Sequence, residues 1–197
     1  MLKYCDIIKD NNPDLRVKCE KVELPLSDED LSTLLKMNEY LEAGYDEEQS
    51  KNNDIRPGVG IAAPQIDILK NMFVIFAYDE KGVEYHFGVI NPKIISHSEE
   101  LTYLPSGEGC LSVDRVVKGL IHRPKRIKVE FDLYDFESGK VEHVSARLKN
   151  YIAVVFQHEY DHLFGILFYD HINKDNPMYI PSNSTPIIFE GQEQEEN

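Results

Sequence analysis

Apolar residues recur at helical spacing in an early segment of the chain. The period close to 3.6 between about residues 27 and 43 predicts an amphipathic α-helix whose leucines are core residues: Leu31, Leu34, Leu35 and Leu41. Ser27 precedes three acidic residues, an arrangement that suits an N-cap and the positive end of a helix. The next segment, residues 44–57, is polar and rich in turn formers, and it predicts an insertion loop on the surface.

The middle of the chain has a strand-like pattern. Segments rich in β-branched and aromatic residues predict strands at 72–78, 85–90 and 126–135, with the clearest alternation in the last. The turn-forming segment DFESGK follows, and VEHVSARLK then predicts the second strand of a hairpin.

A second apolar helix is predicted from about Asn150, with Gly165 positioned to end it. This helix contains VVFQHEYDHLFG, residues 154–165, in which His158, Glu159 and His162 interrupt the apolar run. Three strongly hydrated side chains therefore lie on a helix whose other residues predict burial, and they require partners there.

The length of 197 residues is sufficient for one substantial core, and we expect a single domain over 1–197. No stretch approaches the roughly 20 apolar residues of a membrane span, and the first residues do not resemble a secretory signal. The expectation is a soluble, cytoplasmic protein without a membrane partner. The acidic end, at about 190–197, predicts a flexible tail.

Charge and cysteine content argue against two classes of protein, those that bind nucleic acid and those stabilised by disulfide bonds. With 21 basic and 35 acidic residues the net charge is −14, so the chain should repel phosphate backbones and nucleic acid is not an expected substrate. The local basic stretch HRPKRIK (122–128) could be a docking patch, but a solvated strand face is favoured. Three widely spaced cysteines argue against a disulfide framework and allow one functional thiolate.

The histidine pair is the strongest chemical signal. Side chains four apart on a helix share one face, so His158 and His162 could bind one metal ion; the alternative is two core histidines bonded to carbonyls. Glu159 beside them favours the metal. The third ligand stays open among many carboxylates and five other residues: Cys110, His86, His97, His122 and His143. Cys110 follows Gly107 and Gly109 in GEGCLSV, and these glycines let the backbone approach a ligand closely, but a buried apolar cysteine is an equal alternative.

The segment RPGVGIAAPQI, residues 56–66, has little side-chain bulk. Such a backbone suits a cleft wall that offers its NH and CO groups to an extended peptide, although a plain tight turn would have the same composition. The amide of Gln65 favours the cleft, because it could donate to an oxyanion.

Three segments together resemble the signature motifs of peptide deformylases: GVGIAAPQ (58–65), EGCLS (108–112) and QHEYDH (157–162). They occur in the order of that family, and the resemblance extends from about residue 22 to 172. The segment 44–57 and the proline-bearing end of the chain resemble the Gram-positive type.

The resemblance implies an enzyme that removes the N-formyl group from the initiator methionine of nascent polypeptides and releases formate. It implies that Cys110, His158 and His162 hold one Fe²⁺, that Glu159 is general base and then acid, and that the Gln65 side chain and the Leu111 backbone NH stabilise the oxyanion. Substrate would be bound by Val59, Gly60, Gly109 and Val155, with His158 also bordering the methionine pocket.

The metal and the partners are further expectations. Ligand chemistry alone favours Zn²⁺, because two imidazoles and a thiolate bind zinc readily, whereas the resemblance implies Fe²⁺, with Zn²⁺, Ni²⁺ or Co²⁺ possible after purification. We expect a monomer that meets formylmethionyl peptides at the ribosome. The predicted fold is α+β, with mixed or antiparallel β-sheets around a central metal-binding HExxH helix and an N-terminal helix.

Two rival functions share these residues. A zinc metallopeptidase also uses HExxH, and would cleave internal peptide bonds instead of releasing formate. A non-catalytic metal-stabilised or peptide-binding module would close the site with a fourth protein ligand, which Glu159 argues against.

Overall fold

The computed structural model describes residues 2–190, so the predicted acidic tail at about 190–197 lies, apart from Glu190, outside the described residues. Within this range the chain forms α-helices, β-strands and short 3₁₀ turns. The α-helices are α1 (Asp28–Tyr45), α2 (Glu47–Asn52) and α3 (Asn150–His162). The strands are β1 (Gly60–Ala62), β2 (Met72–Tyr78), β3 (Glu84–His97), β4 (Leu101–Tyr103), β5 (Arg123–Pro124), β6 (Arg126–Tyr134), β7 (Val141–Lys149) and β8 (Ser184–Pro186).

Two sheets organise these strands. The larger is antiparallel with the order β1-β2-β3-β6-β7, and the smaller has the order β5-β4-β8, in which β4 and β8 run parallel. The predicted α+β class with mixed and antiparallel sheets is confirmed, and the predicted hairpin is β6–β7.

The larger sheet is covered by a helix on each face. Along β2, Met72 and Val74 pack in a cluster with α1, whereas Phe73 and Ile75 pack in a second cluster with α3. Because successive side chains of a strand point to opposite faces, burial of both faces requires an uninterrupted apolar run. This explains the sequence MFVIFAY and places α3 against the centre of the sheet.

Helix α1 forms where the leucine spacing predicted it. The Ser27 side chain accepts a hydrogen bond from the Asp30 backbone N–H at 3.1 Å, as expected of an N-cap. Leu34 and Leu41 are fully buried. The prediction of a core leucine is wrong for Leu35, which is 41% exposed, because this position lies at the solvent edge of the helix face.

The predicted insertion loop at 44–57 is partly helical, since α1 extends to Tyr45 and α2 occupies Glu47–Asn52. A local capping signal accounts for α2: the Asp46 carboxylate accepts hydrogen bonds from the backbone N–H groups of Glu48 and Gln49, both at 2.9 Å. Acidic residues in the first turn further stabilise this short helix.

The predicted strand at 85–90 is the first half of β3. A register irregularity between Ile90 and Lys93 carries the strand past Asn91, whose φ is +51°. The Asn91 side chain bonds the backbone N–H and carbonyl of Val22, at 2.9 and 2.8 Å, and so replaces ladder bonds at the irregularity.

Helix α3 ends at His162, and the chain then turns through Gly165, as predicted. Gly165 has φ +72°, and a side chain there would lie 2.4 Å from the Arg16 carbonyl oxygen, so both conformation and space require glycine. None of the helices within residues 2–190 combines the length and apolar character that a membrane crossing demands.

Candidate metal centre

Helix α3 brings the two motif histidines together, as their spacing predicts. The ring centroids of His158 and His162 are 5.2 Å apart, and both rings face the loop between β4 and β5. That loop supplies Cys110, whose Sγ lies 3.3 Å from His162 Nε2. Ligand atoms of Cys110, His158 and His162 all lie within 4.8 Å of one another, and within residues 2–190 this is the one such group of potential metal ligands.

The other histidines considered as third ligands lie elsewhere and have their own polar neighbours. His86 Nε2 is 2.5 Å from Asn38 Oδ1, and His143 Nδ1 is 2.8 Å from Asp132 Oδ1. The remaining two contact backbone or hydroxyl oxygens: His97 and His122. Of the candidates that the sequence left open, Cys110 is thus the residue whose ligand atom lies within 4.8 Å of those of both motif histidines.

A buried charge cluster orients His158. Its Nδ1 lies 2.8 Å from Glu108 Oε2, and Glu108 receives two hydrogen bonds from Arg123, at 2.6 and 3.0 Å. Arg123 also donates to Asp161 Oδ2 at 2.8 Å. We call Glu108, Arg123, His158 and Asp161 the buried charge cluster. With Nδ1 engaged by Glu108, His158 presents Nε2 to the centre, as a ligating imidazole requires.

The cluster sets the protonation of Glu108. Burial alone would raise the pKa of Glu108, but the charge of Arg123 and the hydrogen bonds from His158 and Arg123 lower it to about 2. Glu108 is therefore ionised at neutral pH and can hold the His158 ring in one orientation.

The centre fits a divalent metal. Burial lowers the pKa of His162 well below its ordinary value, which keeps this imidazole in the neutral form that ligation requires. Within the described residues, His162 Nδ1 and Glu159 Oε2 are buried without a hydrogen-bond partner. A thiolate and two imidazoles are ligands that zinc and iron accept, and three protein ligands leave a position for water.

Glu159 lies beside this centre in a tight pocket. Burial raises its pKa to about 7, well above the ordinary 4.5 of a glutamate carboxyl group. A side chain at Gly60 would lie 2.5 Å from Glu159 Oε1, so glycine is required there to admit the carboxylate. Space makes no such demand at Gly109, where an added Cβ would meet nothing within 4 Å.

A cleft of about 270 Å³ opens onto the centre. The candidate site residues that line it, beyond Cys110, are Val59, Gly60, Gln65, Gly109, Leu111, Val155, His158 and Glu159. His162 lies behind them, 1% exposed. The side-chain NH₂ of Gln65 lies 3.5 Å from Cys110 Sγ and donates to Ser112 Oγ at 3.2 Å, so the wall that contains Gln65 contacts the wall formed by residues 110–112.

Sequence reasoning missed several residues of this region. Arg123 lies within HRPKRIK, where a solvated strand face was favoured, yet it is 4% exposed and pairs with two carboxylates. Its placement could not be deduced, because neither carboxylate is a sequence neighbour. The cleft is also lined by Leu104, Tyr151 and Val154, which were not predicted to line it, and by Arg56 and Pro57, which belong to the segment 56–66 predicted as a cleft wall. Apolar spacing on α3 is the one signal that could have identified Tyr151 and Val154.

Comparison with known proteins gives one consistent result. The polypeptide deformylase family model matches residues 4–178. The chain is 50% identical to peptide deformylase from Macrococcus caseolyticus over 188 residues, which is 95% of this chain and 100% of the relative. It is 48% identical to peptide deformylase 2 from Bacillus cereus, covering 95% of this chain and 99% of that protein. The crystal structure of the Thermotoga maritima peptide deformylase matches with a TM-score of 0.61 and 35% identity, covering 85% of this chain and 96% of that one.

Proposed function

The chain belongs to the polypeptide deformylase family and is therefore a hydrolase that removes the N-formyl group from nascent polypeptides. From this premise we propose the role of each site residue in the reaction. Cys110, His158 and His162 hold one divalent metal ion. The observation that carries this assignment is the mutual approach of their ligand atoms within 4.8 Å, at the end of a cleft open to substrate. When bound, the metal supplies a Lewis acid that polarises oxygen and lowers the pKa of water.

Glu159 moves the proton in this proposal. Its carboxylate is buried beside His158, and a pKa of about 7 suits a group that must first accept a proton from water and then release it. The amide nitrogen of the substrate is a poor leaving group until it is protonated, so the same carboxylate serves both steps. Gly60 leaves the space that Glu159 occupies.

Two donors face the oxygen of the formyl group. The Gln65 side-chain NH₂ and the Leu111 backbone N–H would stabilise the negative charge that develops there, since fixed donors in a buried site act more strongly than water. Within the described residues the Leu111 N–H has no acceptor of its own, which leaves it available to substrate.

The remaining cleft residues bind the peptide. The backbones of Gly60 and Gly109 are proposed to pair with an extended substrate, and Val59 and Val155 border the methionine side chain with His158. An apolar pocket of this kind gains roughly 1–3 kcal/mol from a methionine side chain. We further propose that a tight cavity at the metal excludes acyl groups larger than formyl.

We propose Fe²⁺ as the functional metal, with Zn²⁺ as the ion that replaces it during purification in air, because free zinc competes well for thiolate and imidazole ligands. The test is to load one metal-free preparation anaerobically with Fe²⁺, Ni²⁺, Co²⁺ or Zn²⁺ and to measure formate release from formyl-Met-Ala-Ser. Higher kcat/KM with iron is expected. Equal or higher activity with zinc would contradict the iron assignment.

A second measurement on the same metal-loaded preparations distinguishes a deformylase from a metallopeptidase. A metallopeptidase would cleave internal bonds of an unformylated peptide, so mass spectrometry of Met-Ala-Ser and longer peptides should detect no new fragments. Failure to release formate at full iron occupancy would contradict the proposed roles of the site residues.

The biological setting is also a proposal. We place a single-domain monomer in the cytoplasm, where it meets formylmethionyl chains as they leave the ribosome. Support for the ribosomal encounter comes from the substrate class, whereas the net charge of −14 supports only the separate proposal that nucleic acid is not a substrate. Sedimentation equilibrium would test the monomer, because a dimer would give twice the mass of 22.7 kDa.

A further inference from the structure

The N-terminal segment contacts both walls that carry the proposed oxyanion donors. The backbone N–H of Ile8 donates to the Gln65 carbonyl oxygen at 2.9 Å, and the backbone N–H of Asp10 donates to the Ser112 carbonyl oxygen at 2.9 Å. Gln65 and Ser112 are 47 positions apart in sequence. Residues 8–10 therefore bridge these two segments through the backbone, in addition to the direct hydrogen bond from the Gln65 side chain to Ser112 Oγ.

Lys9, between these two bonds, reaches the oxyanion segment directly. Its Nζ donates to the Leu111 carbonyl oxygen at 3.1 Å, forms an ion pair with Asp114 at 3.2 Å, and lies 3.4 Å from the centroid of the Tyr4 ring. A charged donor on a carbonyl makes a stronger hydrogen bond than a neutral one. The peptide that follows Leu111 is thereby fixed by a residue that does not line the cleft.

The segment is itself held in place. Ile7 is buried in the core cluster that also contains Leu111. At the end of the bridge, the Asp10 carboxylate accepts a hydrogen bond from the Tyr169 hydroxyl at 3.1 Å and pairs with Arg115. Ile7 before the bridge and Asp10 at its end therefore anchor residues 8–10.

From these contacts we propose that residues 8–10 form a strap that positions Gln65 and the Leu111 backbone N–H for the formyl oxygen, with Lys9 as its positioning residue. This inference rests on the proposed function of those two donors. Oxyanion donors act only when they lie about 2.7–3.1 Å from the developing charge, so small displacements of either wall would reduce their effect.

Lys9→Met tests the strap, because methionine keeps the methylene packing and removes the donor. Loss of an oxyanion donor costs roughly 10²–10³ in kcat, and a displaced donor retains part of its effect, so a fall of about tenfold in kcat is expected. KM should change less than twofold, since ground-state peptide contacts lie elsewhere in the cleft. Inhibition by the product Met-Ala-Ser, which lacks the formyl oxygen, should be unchanged.

Two further variants separate positioning from other effects. Lys9→Arg keeps a charged donor and should restore most of kcat. Asp114→Asn removes the ion pair of Lys9 but leaves its bond to Leu111, and should retain kcat near that of the unmodified protein. Metal content and thermal unfolding are measured for each variant. If Lys9→Met does not fold, Lys9→Gln replaces it, with kcat expected below that of Lys9→Arg.

The proposal is overturned if the neutral Lys9 variant keeps kcat within twofold, if Lys9→Arg is as slow as that variant, or if Asp114→Asn loses as much. It is also overturned if product inhibition weakens in step with kcat. These outcomes are distinct from failure of the proposed function, in which the unmodified protein itself releases no formate.

Discussion

Arg123 and Arg126 lie three positions apart, yet they occupy opposite electrostatic settings. The Arg123 side chain is 4% exposed and bonds Glu108 and Asp161 inside the buried charge cluster. The Arg126 side chain is 57% exposed and pairs with Glu100, itself 58% exposed. Coulomb attraction is much stronger in the interior than in water, but so is the cost of leaving a charge unpaired. Removal of Arg123 should therefore destabilise the protein much more than removal of Arg126, although both arginines pair with carboxylates.

The largest expected effect is on catalysis, and it comes from a change at the buried carboxylate of Glu159. Glu159→Gln preserves size and burial but removes the proton shuttle beside His158, and a general acid/base step is typically worth 10²–10⁴-fold. We expect kcat to fall by about that range while metal content stays at one ion per chain. Formate-release kinetics and metal analysis on the same preparation provide the measurement. Near-normal turnover with bound metal would remove Glu159 from the chemistry.

Arg123→Met should cause the largest loss of stability. It leaves the carboxylates of Glu108 and Asp161 without their shared cation, and breaking a buried ion pair in this way costs roughly 3–5 kcal/mol. Urea unfolding of the metal-free protein, followed by circular dichroism, measures the difference without a contribution from metal binding. A loss below about 1 kcal/mol would mean that the cluster relaxes or admits water.

Lowering the pH should remove the stability that the ionised Glu108 contributes to the buried charge cluster. Since Arg123 and His158 lower the pKa of Glu108 below the unfolded value of about 4.3, its ionised form stabilises the fold above that pH, and this contribution is lost as the pH falls through about 2. The difference in unfolding free energy between the unmodified protein and Glu108→Gln should therefore shrink between pH 6 and pH 2.5.

The exposed carboxylate of Asp46 provides a comparison for the buried carboxylate of Glu108. Hydrogen bonds from the Gln49 backbone and side chain and from the Glu48 backbone lower the pKa of Asp46, which caps α2 in contact with solvent. At pH 6, the difference in unfolding free energy between the unmodified protein and Asp46→Asn should be smaller than the difference for Glu108→Gln. A difference for Glu108→Gln that stays constant or grows toward low pH would contradict the assigned direction.

Arg126→Met is the matched control, with the smallest expected effect. Removing one member of an exposed pair typically changes stability by about 0–1 kcal/mol, because water solvates the remaining Glu100 carboxylate. The same urea experiment applies. Should Arg126→Met and Arg123→Met destabilise the protein equally, burial would not be what distinguishes the two arginines.

Much of the fold was predictable because it depends on local periodicity. The leucine spacing of α1, the apolar run of β2 and the alternation of β6 each report how many faces of an element are buried, and the structure confirms all three elements. Failures arose at local details. The capping role of Asp46 was not predicted, and the strand predicted at 85–90 continues through an irregularity to His97.

The sequence by itself determined that His158 and His162 share a helix face, because a spacing of four residues has one geometric outcome in an α-helix. It also carried the motifs that identify the family. Only the tertiary structure decided that Cys110 lies beside His158 and His162, that Arg123 is buried between Glu108 and Asp161, and that Lys9 contacts the Leu111 carbonyl. These contacts join residues 15 to 102 positions apart, so they depend on the path of the whole chain, which local pattern does not encode.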